Sequence, residues 1–433
     1  MTVLTTTRRV LRPHADLLAN SGSLIASSAV TAVLGFVFWW LAARVASTTV
    51  VGTASAAVSA MTFIGTIGVF GMGTLLISEL PQMPTGRWRL VSACVLAAGV
   101  LATLGGLGYV LVAHVFAGGL RATVGTPVAA VLLVLGVAVT AVTLVLDDGL
   151  IGMLAGPLQL TRNAWFAAAK LALLGLLTVL PITVTGTEML GVWLAGALVS
   201  VVALAFAVRR RGMGGSLRPH LSLLRRMRWR AVDHNLLNMA LFLPRAALPL
   251  VVAVVLSTAA TADFYTAWMV VTVLAMVPAH LATTLFAVAA GDVRALRPKV
   301  RLALCVAFGL GLPLSLLVAV NARSIMDIFG HEYAASAAGA LRILALTYAT
   351  TVVRQLFVAV SRVLNRVRRA SGLALLAGVA EMVAASVGGH LGGLSGLALG
   401  LAGVFVLEAL LMAPVVLRVV LPERSAAEVR VVG

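Results

Sequence analysis

Long runs of apolar residues, separated by short polar connections, occupy nearly the whole chain. A helix needs about 20 such residues to cross the hydrocarbon core of a bilayer. The strands of a membrane barrel would instead alternate apolar and polar residues over about ten positions, and no such alternation recurs. The pattern predicts an all-α, polytopic membrane protein with about twelve transmembrane helices. The runs are Leu17–Ala43, Val51–Leu76, Leu90–Phe116, Val128–Val145, Ala164–Leu180, Leu190–Val208, Ala231–Leu256, Phe264–Ala289, Leu302–Val320, Ala338–Ala359, Leu373–Leu391 and Leu394–Val420.

The longest polar connection, residues 209–230, contains eight arginines together with glycines and a proline. It lies between the sixth and seventh predicted helices, so we interpret it as a basic cytoplasmic linker. The linker joins two predicted six-helix lobes, residues 1–208 and 231–433. An even number of helices in each lobe makes any internal repeat parallel rather than inverted. The simplest role for the linker is contact with anionic lipid, at about 1 kcal/mol per basic residue.

Composition agrees with the membrane interpretation, because 61% of the residues are hydrophobic and only 11% are charged, with a mean hydropathy of +1.08. A net charge of +18 would suggest nucleic-acid binding in a soluble protein. Here, most lysines and arginines fall on one side of the predicted topology. The positive-inside rule then predicts a multi-pass plasma-membrane protein with both termini in the cytoplasm. We expect membrane lipids as contacts and no nucleic-acid partner.

Polar residues recur at helical spacing on the first two predicted helices of each lobe, which places them on one face of each helix. If these faces meet, they line an aqueous cavity between the lobes, which suits transport. In the alternative interpretation, the hydroxyls only bond their own backbone or hold neighbouring helices together. The residues that we expect to contact a substrate are Asn20, Ser27, Thr31, Ser59, Thr62, Thr66, Asn238, Arg245, Tyr265, Trp268 and Thr272.

Arg245 is the most unusual of these residues, because it lies near the middle of an apolar run, between Pro244 and Pro249. An arginine at that depth costs roughly 2.5–3.5 kcal/mol on insertion scales and therefore indicates a functional site. A guanidinium is suited to bidentate binding of phosphate oxygens. We hypothesise that Arg245 binds an anionic headgroup in transit. The alternative is an ion pair with Glu408 or Glu381.

Other charged residues near the apolar runs have simpler interpretations. Lys170, Arg354, Arg342 and Arg44 lie nearer the ends of their runs, where long side chains reach the membrane interface. Asp147 and Asp148 are expected to form a cytoplasmic charge cluster with Arg162 rather than a catalytic pair.

Several kinds of chemistry are excluded by the sequence. The two cysteines lie inside apolar runs, so they indicate neither a disulfide nor a metal site, and no cofactor is predicted. The phosphate-binding pattern G-x-x-x-x-G-K-[ST] does not occur. Energy for transport would therefore come from a gradient or from the substrate.

Five segments carry a family resemblance: Asn20–Ser47, Val51–Ser59, Leu243–Leu250, Asp263–Val270 and Phe329–Ala337 followed by Leu341 and Arg342. They resemble the polysaccharide transporters of the multidrug/oligosaccharidyl-lipid/polysaccharide (MOP) exporter superfamily, the Wzx-like oligosaccharide flippases. The resemblance covers most of the chain. It implies two six-helix lobes that form a V, with the first two helices of each lobe lining the cleft.

The resemblance also implies a function. Such flippases move undecaprenyl-pyrophosphate-linked oligosaccharides, the repeat units of polysaccharides, from the cytoplasmic to the outer leaflet by alternating access. Arg245 is the position that would match the cationic residues of their clefts. The expected protein is not an enzyme, and polysaccharide polymerase or assembly proteins are its expected partners. The alternatives are a MATE-type cation-coupled drug antiporter, a lipid II flippase and, from another class, an integral-membrane glycosyltransferase.

Overall fold

The structure is a computed structural model of the chain. It describes residues 2–46, 48–115, 123–179, 184–256, 258–290, 296–329 and 331–421. These residues form helices joined by short turns, and no β-strand occurs among them. The predicted all-α, polytopic fold is therefore confirmed.

The first half of the chain contains seven α-helices within its described residues. A three-residue 3₁₀ helix, Leu80–Gln82, follows the third of them. The helices are α1 (Thr2–Val45), α2 (Thr48–Gly68), α3 (Met72–Glu79), α4 (Arg87–Val115), α5 (Pro127–Gly152), α6 (Gly156–Val179) and α7 (Gly186–Arg210).

The second half contains nine α-helices within its described residues, several of them short. A π-helical turn, Ala307–Gly311, joins the third to the fourth. The helices are α8 (Leu221–Val255), α9 (Thr258–Ala290), α10 (Leu296–Val306), α11 (Leu312–Val320), α12 (Ala322–Asp327), α13 (His331–Ser336), α14 (Ala338–Leu346), α15 (Tyr348–Val363) and α16 (Val367–Val420).

Within the described residues, seven helices are long and apolar enough to cross a membrane, and two bent helix pairs raise that number to nine. The bent pairs are α2 with α3, at 52°, and α14 with α15, at 48°. The remaining predicted runs lie on α6 and α8, which carry charged residues within those runs, and on the second half of α16. Within the described residues, each of the twelve predicted runs thus falls on a helix or on a bent helix pair; Phe116 and Leu180, at the ends of two runs, lie outside the described residues.

Local sequence explains where several helices begin and break. The Thr126 hydroxyl accepts a hydrogen bond from the Ala129 amide (3.1 Å) at the start of α5, and Thr185 and Glu188 form a capping box at the start of α7. Such caps satisfy amide groups that have no partner inside the helix. The 54 residues of α16 are interrupted at Gly393, whose φ of +60° is easily adopted only by glycine. This break separates the last two predicted helices.

The chain divides into two compact units. The N-terminal unit is Gly22–Asn235, and the C-terminal unit is Met1–Ser21 together with Leu236–Gly433. Each unit has an apolar core of its own. Leu75, Leu90 and Leu133 are fully buried in the N-terminal unit, and Phe264 and Leu401 are fully buried in the C-terminal unit.

The bend between α2 and α3 depends on Gly71, which has a φ of +73°. A Cβ atom added there would lie 2.2 Å from the Ala231 carbonyl oxygen, so both the backbone angle and the packing require glycine. We expect Gly71→Ala to destabilise the protein by about 2–4 kcal/mol, measured as thermal unfolding in detergent. Gly86→Ala is the matched control, because Gly86 has a φ of +75° and nothing within 4 Å of the added atom. The free energy of unfolding of the control should fall by only about 1 kcal/mol. Equal losses in the two variants would contradict the packing argument.

Candidate functional site

The C-terminal unit encloses a cavity of about 330 Å³, which we call the C-terminal cavity. Helices α8, α9, α15 and α16 contribute its walls. Three of the predicted substrate-contact residues line it: Arg245 on α8, and Trp268 and Thr272 on α9. Trp268 is held by a stacked contact with the buried ring of Phe264, with 5.5 Å between the ring centroids.

Four charged side chains face the C-terminal cavity, and three of them form one cluster. Arg354 Nη1 lies 2.6 Å from Glu381 Oε1 and 3.1 Å from Glu408 Oε2. All three side chains are at most 7% exposed. The expectation that Arg354 reaches the membrane interface is therefore wrong, because two buried carboxylates hold it inside the protein.

Arg245 has a different environment from Arg354. It is half-buried and lines the same cavity, but it makes no ion pair with a carboxylate of the described residues. The direct ion pairs of Glu381 and Glu408 are with Arg354, and none joins either carboxylate to Arg245. Both carboxylates nevertheless line the same cavity and attract Arg245 electrostatically, so the four charges of the cavity sum to zero.

The cluster around Arg354 also retains unused hydrogen-bonding atoms. Within the described part of the chain, Nε and Nη2 of Arg354, Oε2 of Glu381 and Oε1 of Glu408 are buried and have no hydrogen-bond partner. A buried polar atom without a partner costs about 1–3 kcal/mol, so native proteins rarely retain several of them together. These atoms can form further hydrogen bonds with a ligand or with water.

Threonines supply further polar groups to the C-terminal cavity. The hydroxyls of Thr347, Thr350 and Thr272 donate to the backbone carbonyls of Leu344 (2.7 Å), Thr347 (2.6 Å) and Trp268 (2.9 Å). Because each hydroxyl proton is used by the backbone, the oxygen lone pairs remain as acceptors. The cavity therefore combines arginine donors with hydroxyl acceptors, which suits a ligand that carries both an anionic group and hydroxyls.

Sequence reasoning placed Arg354 at the membrane interface and missed the threonines around it, although a signal was present. Thr347, Thr351 and Arg354 follow offsets of 4 and 7, the same helical spacing that identified the other polar faces. Glu381 and Glu408 were named only as alternative partners of Arg245. Their pairing with Arg354 gave no signal, because they are separated from it by 27 and 54 positions in the sequence.

The N-terminal unit contains a second cavity, of about 270 Å³, which we call the N-terminal cavity. Two predicted site residues, Thr31 and Thr62, line it, together with the rings of Phe166 and Trp193. A third predicted residue, Ser27, is buried and accepts a hydrogen bond from Asn163, which also lines the cavity (2.7 Å).

A bidentate ion pair lies at the wall of the N-terminal cavity. Arg162 donates through Nε to Asp147 Oδ1 (2.6 Å) and through Nη2 to Asp147 Oδ2 (2.5 Å). Nη2 also donates to Asn163 Oδ1 (2.6 Å). The two charged side chains are only 7% and 11% exposed. The sequence correctly associated Asp147 with Arg162, but the pair is buried inside the unit rather than exposed in a charge cluster.

The structure does not bring the other predicted site residues to either cavity. The hydroxyls of Ser59, Thr62 and Thr66 donate to carbonyl oxygens four residues earlier on their own helix, at 2.7–2.9 Å. Of these three residues, only Thr62, described above, lines a cavity. The Asn238 side chain accepts a hydrogen bond from Arg362 (2.6 Å). The remaining two differ in exposure: Tyr265 is 59% exposed, whereas Asn20 is buried.

No protein-family model and no curated protein matches the sequence. Solved transporter structures match almost the whole chain, and the three described below each cover 94% of this chain and 96% of their own. A multidrug resistance MATE family transporter of the MOP superfamily, in an outward-facing conformation, is similar with a TM-score of 0.78 at 15% identity. MATE in the straight conformation is similar with a TM-score of 0.74 at 14% identity.

A third similar structure is a MOP superfamily transporter from Pyrococcus furiosus, with a TM-score of 0.73 at 15% identity. It is described as having a binding pocket whose reverse polarity suggests a different function. At these identities the likeness establishes the fold. The chain has the multi-pass membrane fold of MATE transporters of the MOP superfamily.

The buried charge cluster can be tested through stability. We expect Arg354→Met to destabilise the protein by about 3–5 kcal/mol, because it leaves Glu381 and Glu408 buried without a counterion. Adding Glu381→Gln and Glu408→Gln to the same chain should restore most of the loss, since the unpaired charges are then removed. Thermal unfolding of the single and triple variants in detergent measures both effects. A triple variant no more stable than Arg354→Met would show that packing, and not charge, sets the cost.

Proposed function

We propose that the chain is a membrane exporter that moves a lipid-linked oligosaccharide pyrophosphate from the cytoplasmic to the outer leaflet. The fold of MOP superfamily transporters supports an exporter rather than an enzyme. The observation that carries the choice of substrate is Arg245, a guanidinium in a membrane-embedded cavity with no carboxylate partner among the described residues.

The physical problem that such a substrate poses fits the C-terminal cavity. A sugar pyrophosphate cannot enter hydrocarbon unaided, because burial of unpaired charge and of unsatisfied hydroxyls is prohibitive. A guanidinium offers two parallel hydrogen bonds to phosphate oxygens, and the threonine hydroxyls offer acceptors to sugar hydroxyls. The polyprenyl tail would remain in the lipid while the cavity is exposed to the two sides of the membrane in turn.

The surroundings of the exporter follow from the same proposal. The arginine-rich segment 209–230 and both termini would lie in the cytoplasm of a plasma-membrane protein, in accord with the positive-inside rule. Glycosyltransferases that build the lipid-linked unit would act before this step, and polysaccharide polymerase or assembly proteins would consume its product. These partners remain part of the proposal.

The second candidate is a MATE-type cation-coupled drug antiporter. The similar multidrug resistance transporter favours it, as do the buried carboxylates of Glu381 and Glu408, because a coupling cation needs an acidic site. Arg354 pairs with both carboxylates, and Arg245 lines the same cavity, so the four side chains balance in charge and leave no net negative charge for a cation. We favour an anionic substrate because the Arg245 guanidinium makes no ion pair with a carboxylate of the described residues.

Flipping of a fluorescent polyprenyl-pyrophosphate disaccharide in proteoliposomes tests the proposal. We expect Arg245→Ala to slow flipping by at least about tenfold, because a charge-assisted hydrogen bond contributes about 1.5–3 kcal/mol. Arg245→Lys should retain part of the rate, since the charge remains while the bidentate geometry is lost. Arg342→Ala is the matched control, because Arg342 donates to the Ala319 carbonyl oxygen (3.2 Å) and does not line the cavity.

A change of substrate separates recognition of the headgroup from general damage. With a neutral glycolipid of the same sugar and tail, Arg245→Ala and the unaltered protein should be equally slow. If Arg245→Ala flips the pyrophosphate lipid at the normal rate, the proposed substrate contact is wrong. If the unaltered protein instead exchanges organic cations and ignores the pyrophosphate lipid, the antiporter is correct.

A further inference from the structure

A lysine lies deep inside the N-terminal unit without a carboxylate. Lys170, on α6, is 1% exposed, although the sequence predicts that its long side chain reaches the membrane interface. Among the described residues it has neither an ion pair nor a hydrogen bond. The interface prediction is therefore wrong, and another interaction must offset the cost of burying the ammonium group.

That interaction comes from aromatic rings. The Nζ atom of Lys170 lies 4.2 Å from the ring centroid of Trp193, 4.7 Å from that of Phe166 and 5.1 Å from that of Phe38. A cation within about 6 Å of an aromatic centroid is attracted by the ring, and most strongly where water is excluded. Three rings on one ammonium group form an aromatic cage, the arrangement that proteins use to bind organic ammonium ions.

The rings of the cage are fixed before any ligand is considered. Trp193 makes edge-to-face contacts with Phe38 and with Phe166, at centroid distances of 5.6 Å and 5.4 Å. The three rings come from α1, α6 and α7, so the packing of three helices sets their spacing. Removal of the lysine side chain would therefore leave a preformed cage rather than a collapsed one.

The cage adjoins the N-terminal cavity, because Phe166 and Trp193 also line that cavity. The carboxylate at the cavity wall, Asp147, is held by both branches of the Arg162 guanidinium. The groups that could attract a cation into this cavity are the aromatic cage and the Asp147 carboxylate. Two cations of the chain itself, Lys170 and Arg162, already occupy them. Arg162 offsets the charge of Asp147 at the cavity wall, and two rings that line the cavity already hold the Lys170 ammonium group.

From this geometry we propose that Phe38, Phe166 and Trp193 form a binding site for an organic ammonium ion, which the chain fills with Lys170. Lys170 is then a specificity-determining residue that excludes organic cations from the N-terminal cavity. The proposal does not depend on the pyrophosphate substrate or on Arg245. It concerns only which charge the N-terminal cavity accepts.

The test empties the cage and supplies a cation from solution. Lys170→Ala removes the atoms that n-propylammonium carries, and tetramethylammonium presents a similarly compact, weakly hydrated cation. We expect the purified Lys170→Ala protein to bind either ion at least about tenfold more tightly than the unaltered protein does, measured by calorimetric titration in detergent. Lys170→Met is the matched control, because it fills the same space without charge and should bind neither ion.

Further variants decide whether the cage itself is responsible. Adding Trp193→Leu to Lys170→Ala removes the nearest ring and should abolish the gained binding. If Lys170→Ala is not recovered as monodisperse protein, Lys170→Val empties the cage as well and takes its place. The proposal is overturned if the emptied cage binds the ions no more tightly than the unaltered protein, or if Lys170→Met binds them equally well. Flipping by Arg245 variants is a separate measurement, so either proposal can fail alone.

Discussion

A charged side chain in the hydrocarbon core of a membrane must find its counterpart inside the protein, because the lipid offers neither charge nor hydrogen bonds. The structure satisfies this constraint with local partners. Asp147 is paired with Arg162 in the N-terminal unit, and Arg354 is paired with Glu381 and Glu408 in the C-terminal unit. A buried lysine is surrounded by aromatic rings. These contacts hold together helices that are distant in the sequence. They also determine which charged groups remain available to bind a ligand.

Arg245 departs from this arrangement and thereby gives the C-terminal cavity its proposed function. The chain supplies carboxylates to the neighbouring Arg354 but not, among the described residues, to Arg245. A guanidinium at this depth is costly, so its retention is explained best by a partner that is an anion in transit. The same logic explains why the N-terminal cavity would repel organic cations. Under the two proposals, both cavities would favour anionic or neutral ligands, within a fold shared with multidrug transporters.

The fold was predictable from the sequence because apolar runs of bilayer length leave few alternatives to helices. Arg245 was predictable for a related reason, since a charge stands out within an apolar run. The ion pairs were harder to foresee. Glu381 and Glu408 meet Arg354 only through the packing of α15 against both halves of α16, and hydropathy carries no information about that packing. The position of Lys170 was missed because its partners are aromatic rings, which a hydropathy pattern counts as apolar.

The central claim is that the partner of the Arg245 guanidinium is the pyrophosphate of a lipid-linked sugar. An experimental structure of the protein in lipid nanodiscs with a polyprenyl-pyrophosphate oligosaccharide tests it most directly. The account predicts phosphate density within hydrogen-bonding distance of the Arg245 guanidinium, with Arg354 still held by its two glutamates. Headgroup density elsewhere, with Arg245 turned towards the acyl chains or bound to Glu408, would contradict it.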